Sequence, residues 1–197
     1  MNEKKRVIVG ITGASGSIYA YKLLSTLKDR VETDIVISET AKIVIKEEMG
    51  ISYKQFYSLA YKHYEDNQLN VPIASGSNKI NAMVIVPASM STISKISVGI
   101  EDTLISRTAA VCIKENKKLV IVPRETPVSA IHLDNMSRLA YLGVTILLAS
   151  PPFYTKPKTI DDMVNYIVGK ILDSIGIEHN LYTPYKGRNT RSLSNKD

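Results

Sequence analysis

A chain of 197 residues with 44% hydrophobic and 22% charged content is long enough to bury the core of one α/β domain without disulfides or a structural metal. Its single cysteine, Cys112, excludes an internal disulfide framework and a cysteine-cluster metal site, and suits a reducing compartment such as the cytoplasm. The net charge of +6 is partly local, with Lys186, Arg188, Arg191 and Lys196 opposed only by Asp197, and no aromatic residue follows Tyr185 to stack a base, so nucleic acid is not an expected partner.

The amino-terminal residues lead directly into Val7 to Ile11, an apolar run too short for a signal peptide core or a membrane span. A soluble, untargeted protein is expected. This run reads as a first strand, and Gly10-Ile11-Thr12-Gly13-Ala14-Ser15-Gly16 leaves it to open a helix over Ser17 to Leu27. Glycines there let a ligand approach the backbone, and free amides at a helix start favour an anionic or electron-rich group. The spacing departs from the dinucleotide fingerprint, which disfavours NAD.

Asp34 to Ile37 reads as the second strand, followed by Ser38 and a helix over Glu39 to Met49. Tyr64 to Lys79 is the least regular stretch, and its Asn, Ser and Gly content predicts an exposed connection. A third strand, Ala82 to Pro87, leads into Pro87-Ala88-Ser89-Met90-Ser91-Thr92 and helices over Ser91 to Val98 and Glu101 to Glu115. Three successive strand ends thus offer small hydroxyl residues and no carboxylate, as suits a phosphate and a polar heterocycle.

The fourth strand, Leu119 to Pro123, ends in Pro123-Arg124-Glu125-Thr126-Pro127, a charged pair between prolines. A helix over Ser129 to Leu142, a strand over Val144 to Ala149 and a helix over Ile160 to Ile175 complete the pattern. In the last helix Met163, Val164, Ile167, Val168, Ile171, Leu172 and Ile175 form an apolar stripe, and Asp161 and Asp162 occupy the first turn, where negative charge suits the dipole. Strand alternating with helix predicts an α/β fold of the flavodoxin-like Rossmann type, a doubly wound, mostly parallel sheet flanked by helices. One domain is expected over residues 1–181, with a basic tail over 182–197. Ligands in such folds bind beyond the carboxyl ends of the strands.

Gly13-Ala14-Ser15, Ser38, Ser89-x-x-Thr92, Pro123-Arg124-Glu125-Thr126-Pro127 and Phe153-Tyr154-x-x-Pro157 stand in the order and spacing of the flavin prenyltransferases, and over about residues 6–176 the chain resembles that family. The resemblance implies FMN held by Gly13, Ala14, Ser15, Ser38, Ser89, Met90, Ser91, Thr92 and Arg124. It implies a prenyl phosphate, dimethylallyl monophosphate, gripped by Lys114, Arg124, Tyr154 and Lys170, with Arg107 nearby. Family members often carry arginine where Lys170 stands, an exchange that keeps charge and gives up bidentate geometry.

Ser15, Glu48, Lys114 and Glu125 would be the catalytic set, with Ser15 beside flavin N5, Glu125 relaying a proton, and Glu48, or Glu47 next to it, entering from a neighbouring subunit. Bond formation at N5 and ring closure at C6 would give prenylated FMN, the cofactor of UbiD-type decarboxylases. A homo-oligomer, a dodecamer with the flavin between subunits, is implied as well. The aspartate-rich magnesium sites usual for prenyl diphosphates are not visible, so no metal is expected and a monophosphate donor is favoured.

Two rivals remain in the sequence. A cysteine-type flavoprotein decarboxylase would share fold and glycine loop, and Asp134-Asn135-Met136 partly matches its substrate motif, but its catalytic histidine is missing. A non-catalytic FMN carrier would not need the second anion site that Lys114, Arg124, Glu125 and Tyr154 suggest. Tyr166-Ile-Val-Gly-Lys170 spells a dehydrogenase motif in the wrong context, and His63, His132 and His179 are too dispersed in sequence to suggest a metal site.

Overall fold

The computed structural model describes residues 5–185. The chain runs β1 (Arg6–Ile11), α1 (Ser17–Leu27), β2 (Glu32–Ile37), α2 (Glu39–Met49), α3 (Lys54–Tyr57), β3 (Lys62–Glu65), a 3-10 turn at Pro72–Ala74, and β4 (Ala82–Ala88). It continues through α4 (Met90–Ser97), α5 (Leu104–Lys114), β5 (Lys118–Pro123), α6 (Ala130–Tyr141), β6 (Thr145–Ile146) and α7 (Ile160–Ser174). The six strands form one sheet in the order β3-β2-β1-β4-β5-β6, every neighbouring pair parallel.

Continuous apolar runs become strands here because helices cover both faces. Val7, Val9 and Ile11 of β1 pack with Leu23 and Leu24 of α1, Ile45 of α2, and Ile167 and Ile171 of α7. Ile8, between them, turns to the other layer with Ile93 of α4, Ile105 of α5 and Leu139 of α6. Cys112 lies in that second layer, where burial pushes its thiol up to about 12 and leaves it unreactive.

The five strands expected from sequence run in the order 2-1-3-4-5, the flavodoxin pattern, and β3 adds an edge beyond β2. β3 escaped the sequence reading because Lys62, His63, Tyr64 and Glu65 pair on one side only and form no apolar run. The 64–79 segment is exposed over residues 67–70, as expected, and anchored further on. Ile73 is fully buried, Arg107 donates to the Ala74 carbonyl at 3.2 Å, and Lys117 donates to the Gly76 and Asn78 carbonyls at 3.1 and 2.7 Å.

The sixth strand is shorter than the expected Val144 to Ala149, with only Thr145 and Ile146 in register with β5. At the other end of α7, Tyr182 donates to Asp173 at 2.5 Å and packs its ring on Tyr166, so ordered packing passes residue 181. The tail charges Lys186, Arg188, Arg191, Lys196 and Asp197 lie outside the described residues. Among the described residues no helix is long and apolar enough to cross a membrane.

Candidate functional site

The strand order reverses between β1 and β4, and the two loops leaving those strands are tied together by Thr12. Its buried hydroxyl donates to the Pro87 carbonyl at 3.0 Å and accepts the Ser89 amide at 2.7 Å, while its amide reaches the same carbonyl at 3.1 Å. Beside this clasp opens a cavity of about 500 Å³ lined in part by Thr12, Gly13, Ser38, Thr40, Ser89, Ser91 and Thr92. A Cβ at Gly13 would collide with the Thr40 side chain, so only glycine lets the two loops close up. Ser38 and Ser89 cap α2 and α4 by accepting Ala41 and Thr92 amides, each at 3.3 Å.

Not every expected flavin residue offers its side chain. Ala14 and Met90 are buried and neither lines the cavity; the Ala14 amide is spent on the Thr12 carbonyl, while the Met90 amide makes no hydrogen bond among the described residues. Asp66, Asn67, Lys95, Asp102, Thr103 and Ser106 also line the cavity and were missed by the sequence reading. They belong to the β3 end, α4 and the start of α5, segments whose shared location no local motif encodes.

At the same sheet edge Glu48 folds back within its own chain. Its carboxylate accepts Gly16 and Ser17 amides at 3.0 and 2.8 Å. Within its own chain, two orphan amides at the start of α1, with Gly16 at φ 112, provide this carboxylate with a local partner. Burial opposes ionisation, but hydrogen bonds from the Ser15 side chain and from the Ser17 and Gly16 amides outweigh it and hold the carboxyl below its ordinary value. Glu47 turns away to a separate groove beside Ile43, Ile51 and Tyr53.

Arg124 joins this group, its Nε donating to the Ser15 carbonyl at 3.3 Å. It makes no ion pair with Glu125, whose carboxylate instead accepts the Thr126 amide at 3.0 Å and stands exposed. The other expected phosphate ligands lie elsewhere. Lys114 ends α5 beside the start of β5, roughly 15 Å along the helix from the cavity end, with its Nζ 3.9 Å from Glu115. Arg107 is engaged by Glu101 and the Ala74 carbonyl.

Tyr154 and Lys170 form a third group. The Tyr154 hydroxyl lies 3.4 Å from that of Tyr166, and Lys170 donates to Asp173 at 3.3 Å. Tyr154 borders a cavity of about 530 Å³, lined also by Tyr166, Tyr182 and Tyr185. One chain therefore holds the expected residues in three places. Asn135 of the partial decarboxylase motif donates to Ser94 at 3.0 Å and accepts from Ser97 at 2.8 Å, which joins α6 to α4. Among the described residues no group of three or more His, Cys, Asp or Glu converges as metal ligands would.

A hydroxyl-lined cavity at the switch point of a doubly wound sheet defines an α/β protein built for a phosphorylated heterocyclic ligand. The sequence profile described as Flavoprotein matches residues 1–172. The flavin prenyltransferase UbiX of Methanocaldococcus jannaschii is 48% identical over 177 residues, 90% of this chain and 96% of that one. The chain thus belongs to the flavoproteins and, within them, to the flavin prenyltransferase family.

Solved structures agree. AnUbiX, crystallised in complex with FMN and dimethylallyl pyrophosphate, superposes with a TM-score of 0.92 at 37% identity, covering 94% of this chain and 99% of its own. A dodecameric FMN-dependent UbiX-like decarboxylase from Escherichia coli O157:H7 gives a TM-score of 0.90 at 39% identity, covering 92% and 100%.

Proposed function

We infer that this protein is a flavin prenyltransferase, joining a dimethylallyl group to reduced FMN to give prenylated FMN for a UbiD-type decarboxylase. The observation that carries the reading is the hydroxyl-lined cavity at the switch point, with Ser15, Glu48 and Arg124 gathered at the same sheet edge, in a chain 48% identical to a named flavin prenyltransferase. The residues fit the cofactor. Met90 and Ser91 amides, which make no hydrogen bond among the described residues, and the Ser89 and Thr92 hydroxyls suit a phosphate, and the cavity volume suits a flavin.

Bound in reduced form, FMN supplies the nucleophilic ring to which the prenyl carbon is joined. The chain supplies the rest. Glu48 fixes the Ser15 loop by gripping the start of α1. Arg124 and Lys170, with Lys114, neutralise the departing phosphate, which is a poor leaving group until its oxygens are countered. Glu125, exposed and committed to no cation, is free to hand that phosphate a proton.

Lys114 lies at the far end of its own sheet from the cavity, which supports a site completed between subunits of a homo-oligomer, a dodecamer like the Escherichia coli neighbour. The buried lone thiol suits the cytoplasm as the place of reaction. We take dimethylallyl monophosphate as the donor. The test is mass spectrometry of FMN after incubation with a reductant and either the monophosphate or the diphosphate. A mass gain of one dimethylallyl unit with the monophosphate is expected, and no gain with either donor would overturn the reading.

Subunit sharing has its own test. Glu125→Gln and Lys114→Ala variants, each nearly inactive alone, should regain activity when dissociated and reassembled together, since some sites then receive both wild-type residues. No recovery in verified mixed assemblies would put Lys114 back in its own chain's site.

A further inference from the structure

Three helices open on the 500 Å³ cavity, and their amino termini are not equivalent. At α2 and α4 the caps Ser38 and Ser89 satisfy the later amides, while those of Glu39, Thr40, Met90 and Ser91 make no hydrogen bond among the described residues. At α5 all four amides are consumed. Leu104 donates to the Asp66 carbonyl at 2.7 Å and Ile105 to the Asp66 carboxylate at 2.9 Å; Ser106 donates to the Thr103 hydroxyl at 3.2 Å and Arg107 to the Thr103 carbonyl at 2.8 Å.

A phosphate entering the cavity meets donors at α2 and α4, and at α5 meets a carboxylate instead. Lys95 does not reverse this, because its charge is met by Asp102 at 2.7 Å. Asp66 follows β3 directly, at the carboxyl edge of the sheet, where an acidic side chain suits the hydroxyls of a sugar or polyol. A carboxylate offers about four lone-pair positions, and one amide with the Thr103 hydroxyl leaves part of them unused. Burial, outweighing these two bonds, raises the Asp66 carboxyl above its ordinary value, as expected of an acceptor short of donors.

Resting on the flavin reading, we propose that Asp66 selects the polyol of the ligand: its carboxylate accepts hydrogen bonds from the ribityl hydroxyls and orients the flavin with its phosphate toward α2 and α4. Asp66 is in this sense a specificity-determining residue rather than a helix cap alone. The distinction is measurable, because a cap affects every ligand of the cavity alike, whereas a polyol acceptor affects only ligands that carry the polyol.

The experiment titrates the full-length chain, freed of co-purified flavin, with FMN, riboflavin and lumiflavin, which keeps the ring but has methyl in place of ribityl. Wild type should bind riboflavin on the order of tenfold or more tighter than lumiflavin, the scale of hydrogen bonds to a charged acceptor. Asp66→Asn should lower affinity for FMN and riboflavin by a similar factor and leave lumiflavin nearly unchanged, so that the wild-type preference collapses. Equal losses for all three ligands, or none, would overturn the proposal. If Asp66→Asn does not fold, the wild-type ratio decides, and riboflavin and lumiflavin binding alike would sink it. Failure of wild type to bind FMN at all would remove the flavin reading itself and the proposal with it.

Discussion

At the amino-terminal edge of the sheet Asp34 is fully buried and Arg6, 19% exposed in its side chain, meets it at 2.7 Å. At the carboxyl edge Arg124 and Glu125 are neighbours in sequence, stand exposed and do not pair. The first edge spends most of its polar groups on itself: Arg6 also donates to Asn78 at 3.3 Å, its amide donates to Asn81 at 2.7 Å, and Lys117 closes two carbonyls of the same segment, while Asp34 Oδ1, Thr33 Oγ1 and Asn78 Nδ2 stay buried without a partner among the described residues. The second leaves the amides of Glu39, Thr40, Met90 and Ser91 without a hydrogen bond among the described residues, and Arg124 and Glu125 without an ion pair. Charge satisfied inside the chain holds the fold, and charge left exposed at the mouth of a cavity is available to a ligand.

The largest effect that would break this contrast lies at the closed edge. Asp34→Ala leaves the Arg6 guanidinium half-enclosed and unpaired, and should cost about 3 kcal/mol or more in urea denaturation. Flavin affinity of the molecules that remain folded should be unchanged. A loss under 1 kcal/mol would mean that the buried pair is no more committed than the open one.

Glu125→Gln tests the open edge. Unfolding free energy should stay within about 0.5 kcal/mol of wild type, as for an ordinary surface change, and FMN should be retained. Prenyl transfer in single turnover should slow roughly 10²-fold, the scale of general acid catalysis. Weakened flavin binding with an unchanged rate at saturating flavin would instead make Glu125 a support for the Arg124 turn.

Glu48 stands between the two kinds of charge, since it serves the fold by gripping α1 while facing the site. Its folded-state pKa is lowered, so its stabilising contribution is present above the unfolded carboxyl value and is lost as pH falls through the folded one. Glu48→Gln should therefore be less stable than wild type near neutral pH by about 0.5 kcal/mol, the scale of an exposed charge at a helix start. The difference should vanish in acid. Parallel urea midpoints at neutral and low pH measure it, and a gap that persists in acid would assign the effect to packing.

The sequence by itself determined the α/β class, the five apolar strands, the hydroxyl-bearing strand ends and the resemblance to flavin prenyltransferases. Each of these is carried by neighbours along the chain: a run of Val and Ile buried on two faces, a glycine loop opening a helix, a proline-bounded turn. Even the acidic first turn of α7 was readable, although only the structure shows that Asp162 also accepts the Thr159 amide.

Only the tertiary structure decided where these pieces meet. Lys114 closes α5, and the direction of that helix carries it to the end of the sheet away from the cavity. Glu48 stands 32 residues from Gly16 in sequence, yet the turn after β1 leaves two amides within reach of its carboxylate. Asp66 sits at the end of a polar edge strand that no periodicity marks, and it reaches the start of α5 some 39 residues later. Spacing along a chain fixes which residues share a face of one element, whereas the distance between elements follows from how their apolar faces pack, and that packing brings Asp66 into the cavity and takes Lys114 out of it.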